Sequence, residues 1–436
     1  MKRLAPVLAI LFLVISCQKD ADELNDINNV DTNANCDDCN IDVTLDANRL
    51  ELFNSNVNLT LGKAALESKN DGDTLELVLK AKLNPLIIEH EGGEKMLNAN
   101  HISVRYDRVA ASYSIVGEPY GGAVDIIDIP KNKDITLEGT LLMPDRDIDA
   151  VDWDSRTRLM FGGGIDVDVF TDALSSSFFE YYSINGNTRK PEEFNLNRLE
   201  SYTDRIGNKL NSLKDVWGFI IGSGGGSDGK VFIYNSRNKT VFQDDSNLFS
   251  GLYIFDTTVA KLGTKRLFVV VAYDNASQEL KAFYFDIDKQ SYALSFMYDV
   301  SLGNFDLNVE AKHSILAPRA DVLIVSLEQE GLGLFTIEGD DTAKTAVLKQ
   351  QLRDEILDQN NPDEVVNSFS SSGGVIYAAA GAGGVLIIRY KNSNASLQYA
   401  YKVEVPGESV NSTSRSDDNL VVASTSGVRV YKINKR

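Results

Sequence analysis

Gly384-Val385-Leu386-Ile387-Ile388-Arg389-Tyr390 is an apolar run reached through Ala378-Ala379-Ala380-Gly381-Ala382-Gly383. The pattern is that of a strand entered by a glycine turn. It returns at Gly427 to Ile433 (Gly-Val-Arg-Val-Tyr-Lys-Ile) and Gly331 to Ile337 (Gly-Leu-Gly-Leu-Phe-Thr-Ile). Less perfect copies stand at Ala123 to Ile129, Phe178 to Ile184, Lys230 to Ser236 and Lys281 to Ile287. The fifth residues of the seven copies are Ile127, Tyr182, Tyr234, Phe285, Phe335, Ile388 and Tyr431, so successive copies are 55, 52, 51, 50, 53 and 43 residues apart. A period near fifty residues is that of a propeller blade.

Around each marker the chain reads as a four-strand meander. The first is Asn100 to Val104, Arg108 to Val116, the marker Ala123 to Ile129, a turn at Pro130-Lys131-Asn132-Lys133, and Ile135 to Leu142. The second strands of later units, such as Leu267-Phe268-Val269-Val270-Val271-Ala272, are apolar throughout. A strand covered on both faces has that pattern, whereas a one-sided sheet alternates. The expected fold is all-β, a seven-bladed β-propeller of four-stranded antiparallel blades over residues 73–436. The last unit ends at Arg436 without an outer strand, which leaves an exposed edge. Thr74 to Leu83 alternates like a half-buried strand and precedes the first unit, so it is predicted to pair antiparallel with Val428 to Ile433 and close the ring.

The opening stretch, from Val375-Ile376-Tyr377 to Ile387-Ile388, resembles the LVIVP-type propeller repeat of secreted bacterial and archaeal proteins. In that repeat an apolar strand rich in Tyr and Ala leads through a glycine turn to a second apolar strand, often followed by Asp. Asp128 and Asp286 keep that Asp, while Arg389, Thr336 and Lys432 replace it. The resemblance implies a propeller and no particular activity.

The N-terminus reads as an address. Lys2 and Arg3 precede an apolar run from Leu4 to Ile15, too short to span a bilayer and laid out as a signal peptide over residues 1–16. Val14-Ile15-Ser16-Cys17 resembles a bacterial lipobox, which implies lipidation at Cys17 and a membrane anchor. Lys19-Asp20-Ala21-Asp22-Glu23 resembles the export signal of Bacteroidota-type lipoproteins, with Ala21 interrupting the acidic run. That resemblance implies the outer face of the outer membrane; the alternative is its periplasmic face. From Gln18 to Asn40 there are seven acidic residues, one Lys and six Asn, with hardly any apolar residue, so residues 17–40 read as a tether. Cys36 and Cys39 have CxxC spacing without a second pair or a His pair, so a local disulfide or two idle thiols is expected instead of zinc. Residues 41–72 are an N-terminal extension, helix-compatible from Gly62 to Glu67.

A formal net charge of −20 opposes nucleic acid and anionic lipid surfaces as partners. His90, His101 and His313 form no HExxH, no nucleophile elbow is expected to anchor a hydrolase triad, and no sialidase-type Asp-box occurs. Ile221 to Ser227, rich in glycine, is expected to be a hairpin turn because no Lys-Ser/Thr follows it. Trp153 and Trp217 read as packing residues, with glycan stacking the sharper alternative. The expectation is therefore no catalytic set, no metal and no cofactor.

Propellers bind ligands at the channel mouth, where the innermost strands begin. The residues expected there are Asn100, His101, Asp149, Asp152, His313, Asn367 and Asn411, with Glu310 and the repeated tripeptides Val366-Asn367-Ser368 and Val410-Asn411-Ser412. Such a polar ring suits a sugar or a cation; the competing reading is that Asn and Ser satisfy backbone groups at strand ends. Two functions follow: a surface lipoprotein that scaffolds protein–protein interaction, accessory to an outer-membrane transport, secretion or assembly complex, or a glycan-binding or glycan-active propeller.

Overall fold

Seven antiparallel sheets are arranged as blades of a propeller ring in the computed structural model. It describes residues 41–57, 59–61, 75–90, 93–115, 120–155, 157–165, 177–185, 195–202, 209–216, 218–226, 229–235, 240–243, 247–288, 290–340 and 343–435. The signal peptide, Cys17, the acidic tether, the cysteine pair, Gly62 to Glu67 and Trp217 lie outside those residues.

Blade 1 consists of Asn98–Arg105, Arg108–Ser114, Gly122–Asp128 and Thr136–Met143, each strand bonded to the next. The inner strands of blades 2 to 7 are Arg146–Ser155, Lys209–Val216, Tyr253–Leu262, Ile315–Arg319, Ser368–Ser372 and Val410–Ser416. All seven marker copies are third strands; the opening stretch is Val385–Lys391 of blade 6. Leu75–Leu83 lies antiparallel against Gly427–Lys435, with Val428 opposite Leu83 and Ile433 opposite Leu77, as the outer strand of blade 7.

The core is divided among the gaps between blades, and a single second strand shows why. Leu267, Val269 and Val271 pack toward blade 5, in a cluster with Leu323 and Val325. Phe268, Val270 and Ala272 pack the other way, with Ile221 and Ile233 of blade 3. Both faces of the strand are buried, so no position is left for a polar alternate. Trp153 is buried between blades 1 and 2, with the Arg108 guanidinium 5.5 Å from its ring centroid, so it is a packing residue.

One feature departs from the sequence expectations. Gly222 to Gly225 are not a turn but the end of the second strand of blade 3, Phe219–Gly225. A Cβ on Gly222 would stand 2.4 Å from the Phe232 ring, so glycine is there to admit that ring. The described part of the N-terminal extension is packed on the blades as added strands. Asp42–Thr44 pairs with the outer strand of blade 1, Leu50–Val57 with that of blade 7, and Leu59–Leu61 with that of blade 6. The extension thus supplies a fifth strand to three neighbouring blades. Between Leu83 and Asn98 a hairpin, Ile87–His90 with Gly93–Met96, adds buried Ile88 to the gap between blades 7 and 1.

Candidate functional site

The inner strand of a blade is an edge, and its free backbone groups face the channel and the neighbouring blade. Near its start this strand skips one residue against its partner in blades 1, 2, 3, 4 and 7: Asn100, Asp149, Asn211, Phe255 and Asn411. Asn367 stands directly before the inner strand of blade 6. A bulge re-aims the skipped side chain. The Asn amides consequently reach across to the carbonyl that precedes the equivalent residue of the next blade.

Asn100 Nδ2 donates to Ile148 O at 2.9 Å, and Asn211 Nδ2 to Ile254 O at 3.1 Å. Asn367 Nδ2 donates to Val410 O at 3.3 Å, and Asn411 Nδ2 to Ala99 O at 2.8 Å across the point where the ring closes. Asn100 is further engaged with Ser114 Oγ, and its Oδ1 accepts from Ser112 Oγ. Asn211 escaped the sequence reading, although Leu210-Asn211-Ser212 repeats the apolar-Asn-Ser tripeptides of blades 6 and 7.

Two of the other predicted residues, His101 and Asp152, also bond to the next blade. The Val151 amide donates to His101 Nδ1 at 3.1 Å, which fixes the imidazole as a neutral acceptor. Burial, reinforced by Lys312 and Lys214, holds the His101 pKa well below its usual value. Asp152 accepts from the amides of Asp215, at 2.6 Å, and Trp153, at 2.8 Å, and from the Ser103 hydroxyl. Burial nevertheless pushes its pKa up to about 6. Asp256, absent from the prediction, repeats this arrangement between blades 4 and 5 by accepting from the Ile315 amide at 2.8 Å. His313 is buried, its ring stacked on Phe255 with centroids 3.7 Å apart and its Nε2 3.2 Å from Glu328 Oε1.

A cavity of about 460 Å³ occupies the channel mouth. Asn100, Asp149, Asn367 and Asn411 line it, together with Asp147, Lys209, Glu310 and Lys312; His101, Asp152 and His313 do not. Lys312 Nζ donates to Asp149 O at 2.7 Å, and Lys209 Nζ is 3.4 Å from Glu310 Oε2. Burial, aided by Lys214 and Lys209, lowers the Lys312 pKa to about 7, while Asp149 and Asp256 oppose the shift. Burial and the neighbouring Asp149 carboxylate raise Asp147 to about 7, against the Gly121 amide that it accepts from. Asp149 is raised by burial and opposed by Lys209 and Lys312. The mouth thus holds one carboxyl group, Asp147, and one ammonium group, Lys312, that change charge near neutral pH.

Phe255, an aromatic residue lining the mouth, is stacked on both His313 and Tyr273 and is only 3% exposed, which leaves little of its ring for a sugar. The Gly-x-Ser-x-Gly spacing does occur, in Gly225-Gly226-Ser227-Asp228-Gly229, contrary to the sequence expectation. It connects the strands Phe219–Gly225 and Lys230–Asn235 and lacks the strand-to-helix turn that exposes a nucleophile; Ser227 itself lies outside the described residues. No family model matches the chain, and comparison with curated proteins finds no match.

Proposed function

We propose that the chain is an outer-membrane lipoprotein of the LVIVP-repeat-like, Bacteroidota type, anchored through Cys17 and exposed at the cell surface. In this reading its propeller is a non-catalytic scaffold for protein–protein interaction, accessory to an outer-membrane transport, secretion or assembly complex. The observation that carries the scaffold reading is the use of the channel's polar residues. The Asn amides, His101, Asp152 and Asp256 are engaged in joining one blade to the next, while large apolar side chains lie exposed on the outer strands. A ring held in this way is a rigid body whose free chemistry lies on its rim.

The test of the anchor is Cys17→Ser. The unmodified chain is expected in the outer-membrane fraction, labelled by a membrane-impermeant reagent on intact cells, and the variant is expected to leave that fraction. Labelling only after the outer membrane is broken would assign the protein to the periplasmic face. The glycan reading retains one supporting observation, the 460 Å³ mouth with its carboxylates and ammonium groups. Binding on a glycan array that is lost with Asp149→Ala would favour it; glycan binding that survives would remove the mouth from consideration.

A further inference from the structure

The outer edges of the blades differ in a way that points to a binding site. In blades 1, 6 and 7 the extension covers the edge with a fifth antiparallel strand. Among the described residues, the outer strands of blades 2, 3, 4 and 5 end their sheets with that edge open. Open edges invite pairing, and proteins usually blunt them by shortness or by charge. Among the described residues, the outer strand of blade 3 has only 4 residues, Thr240–Gln243. Blade 2 carries Arg198 and Glu200 in Asn195–Tyr202, and blade 5 carries Lys344 and Lys349 in Ala343–Leu352.

Blade 4 lacks both devices. Its outer strand, Leu294–Asn304, is 11 residues long, with neither Lys, Arg nor Pro and Asp299 as its single charge. It also presents large apolar side chains, with Phe296 49% and Met297 39% exposed. Phe296 packs edge-on against Phe285, with ring centroids 5.7 Å apart, at the gap toward blade 3. On the blade 5 side, the outer strand has Val347 and Leu348 exposed as well, and its Lys344 lies over the Tyr298 ring, 5.9 Å from the centroid.

We propose that the outer edge of blade 4 binds an extended segment of a partner protein as a fifth antiparallel strand, one that alternates aliphatic and polar residues. The chain itself supplies the precedent for this occupant. Leu59-Thr60-Leu61, which has that alternation, pairs with residues 401–403 of blade 6, directly beyond the bulge at Ala400. Asp42-Val43-Thr44 pairs with residues 140–142 of blade 1, beyond the bulge at Glu138. Blade 4 has the same bulge, at Met297, which places the corresponding landing site within residues 298–301. Backbone hydrogen bonds would provide the pairing, and the partner's aliphatic side chains would cover Phe296 and Met297. This inference rests on the scaffold reading and supplies the chemistry of its partner.

The test uses the full mature chain, hydrogen–deuterium exchange and a panel of ten-residue synthetic peptides alternating Leu or Val with Thr or Ser. At least one peptide is expected to slow exchange of the Leu294–Asn304 amides tenfold or more, while its Pro-interrupted counterpart has no effect. Met297→Lys should abolish that protection with the melting temperature unchanged. Phe296→Ser is a second variant that removes the apolar contact without adding charge. The proposal is overturned if no peptide protects this strand, if protection falls on blade 2 or 5 instead, or if the strand is protected by self-association of the free chain. A partner recovered from membranes but contacting another surface would overturn this site and leave the scaffold reading standing.

Discussion

Asn411 shows how a residue that resembles a ligand contact can be a structural tie. Its amide bonds the Ala99 carbonyl across the seam between the last blade and the first, so its loss weakens ring closure directly. Asn411→Ala is expected to lower unfolding stability by about 0.5–1.5 kcal/mol, read by urea denaturation. The charged residues at the mouth predict a pH profile. The folded chain holds the Asp147 proton up to about pH 7, whereas an unfolded Asp releases it near its ordinary value, so this group's contribution falls as pH rises between those values. Lys312 has the opposite sense: it loses its proton near pH 7 when folded and only near its ordinary value when unfolded, so its contribution rises above neutrality. Together the two give a shallow minimum of stability near pH 7. Asp147→Asn should flatten the acid limb and Lys312→Met the alkaline limb in melting curves recorded from pH 4 to 10.

At the scale of elements, the N-terminal extension acts as a strap, and Arg49 is its buckle. Its guanidinium forms a bidentate pair with buried Asp125, at 3.0 and 2.8 Å, and also donates to Asn84 O and Thr140 Oγ1. Arg49→Ala would leave the Asp125 carboxylate buried without its ion-pair partner, a change that costs about 3–5 kcal/mol. Combining Arg49→Met with Asp125→Leu should recover much of that loss, because the desolvated charge disappears with its partner. These elements were unequally legible in the sequence. Glycine turns, apolar runs and a fixed period follow from burial between blades, so the third strands, the seven-fold count and the closure by Leu75–Leu83 could be read directly. The fifth strands could not: Asp42-Val43-Thr44 and Leu59-Thr60-Leu61 have no period, and their pairing depends on edges distant in the chain. At the site, the apolar-Asn-Ser tripeptide located the mouth. It could not show that the amides turn toward the next blade, because that direction is set by bulges invisible to a residue pattern.

For the whole molecule, the ring divides its surface into a polar channel with many internal bonds and an outer rim with exposed apolar strands. The net charge of −20 spreads repulsion over the exterior and disfavours non-specific association, which makes the nearly uncharged edge of blade 4 the more distinctive. Ile41 enters the described fold beside the end of blade 1's outer strand, since Asp42 pairs with Leu142. The most direct test of the account is lysine-directed cross-linking mass spectrometry on intact outer membranes. Lys344 and Lys349 report on the rim beside blade 4, and Lys209 reports on the mouth. The account predicts cross-links from Lys344 or Lys349 to a stoichiometric partner and none from Lys209; recovery of the uncomplexed chain alone, or a partner joined only through Lys209, would contradict it.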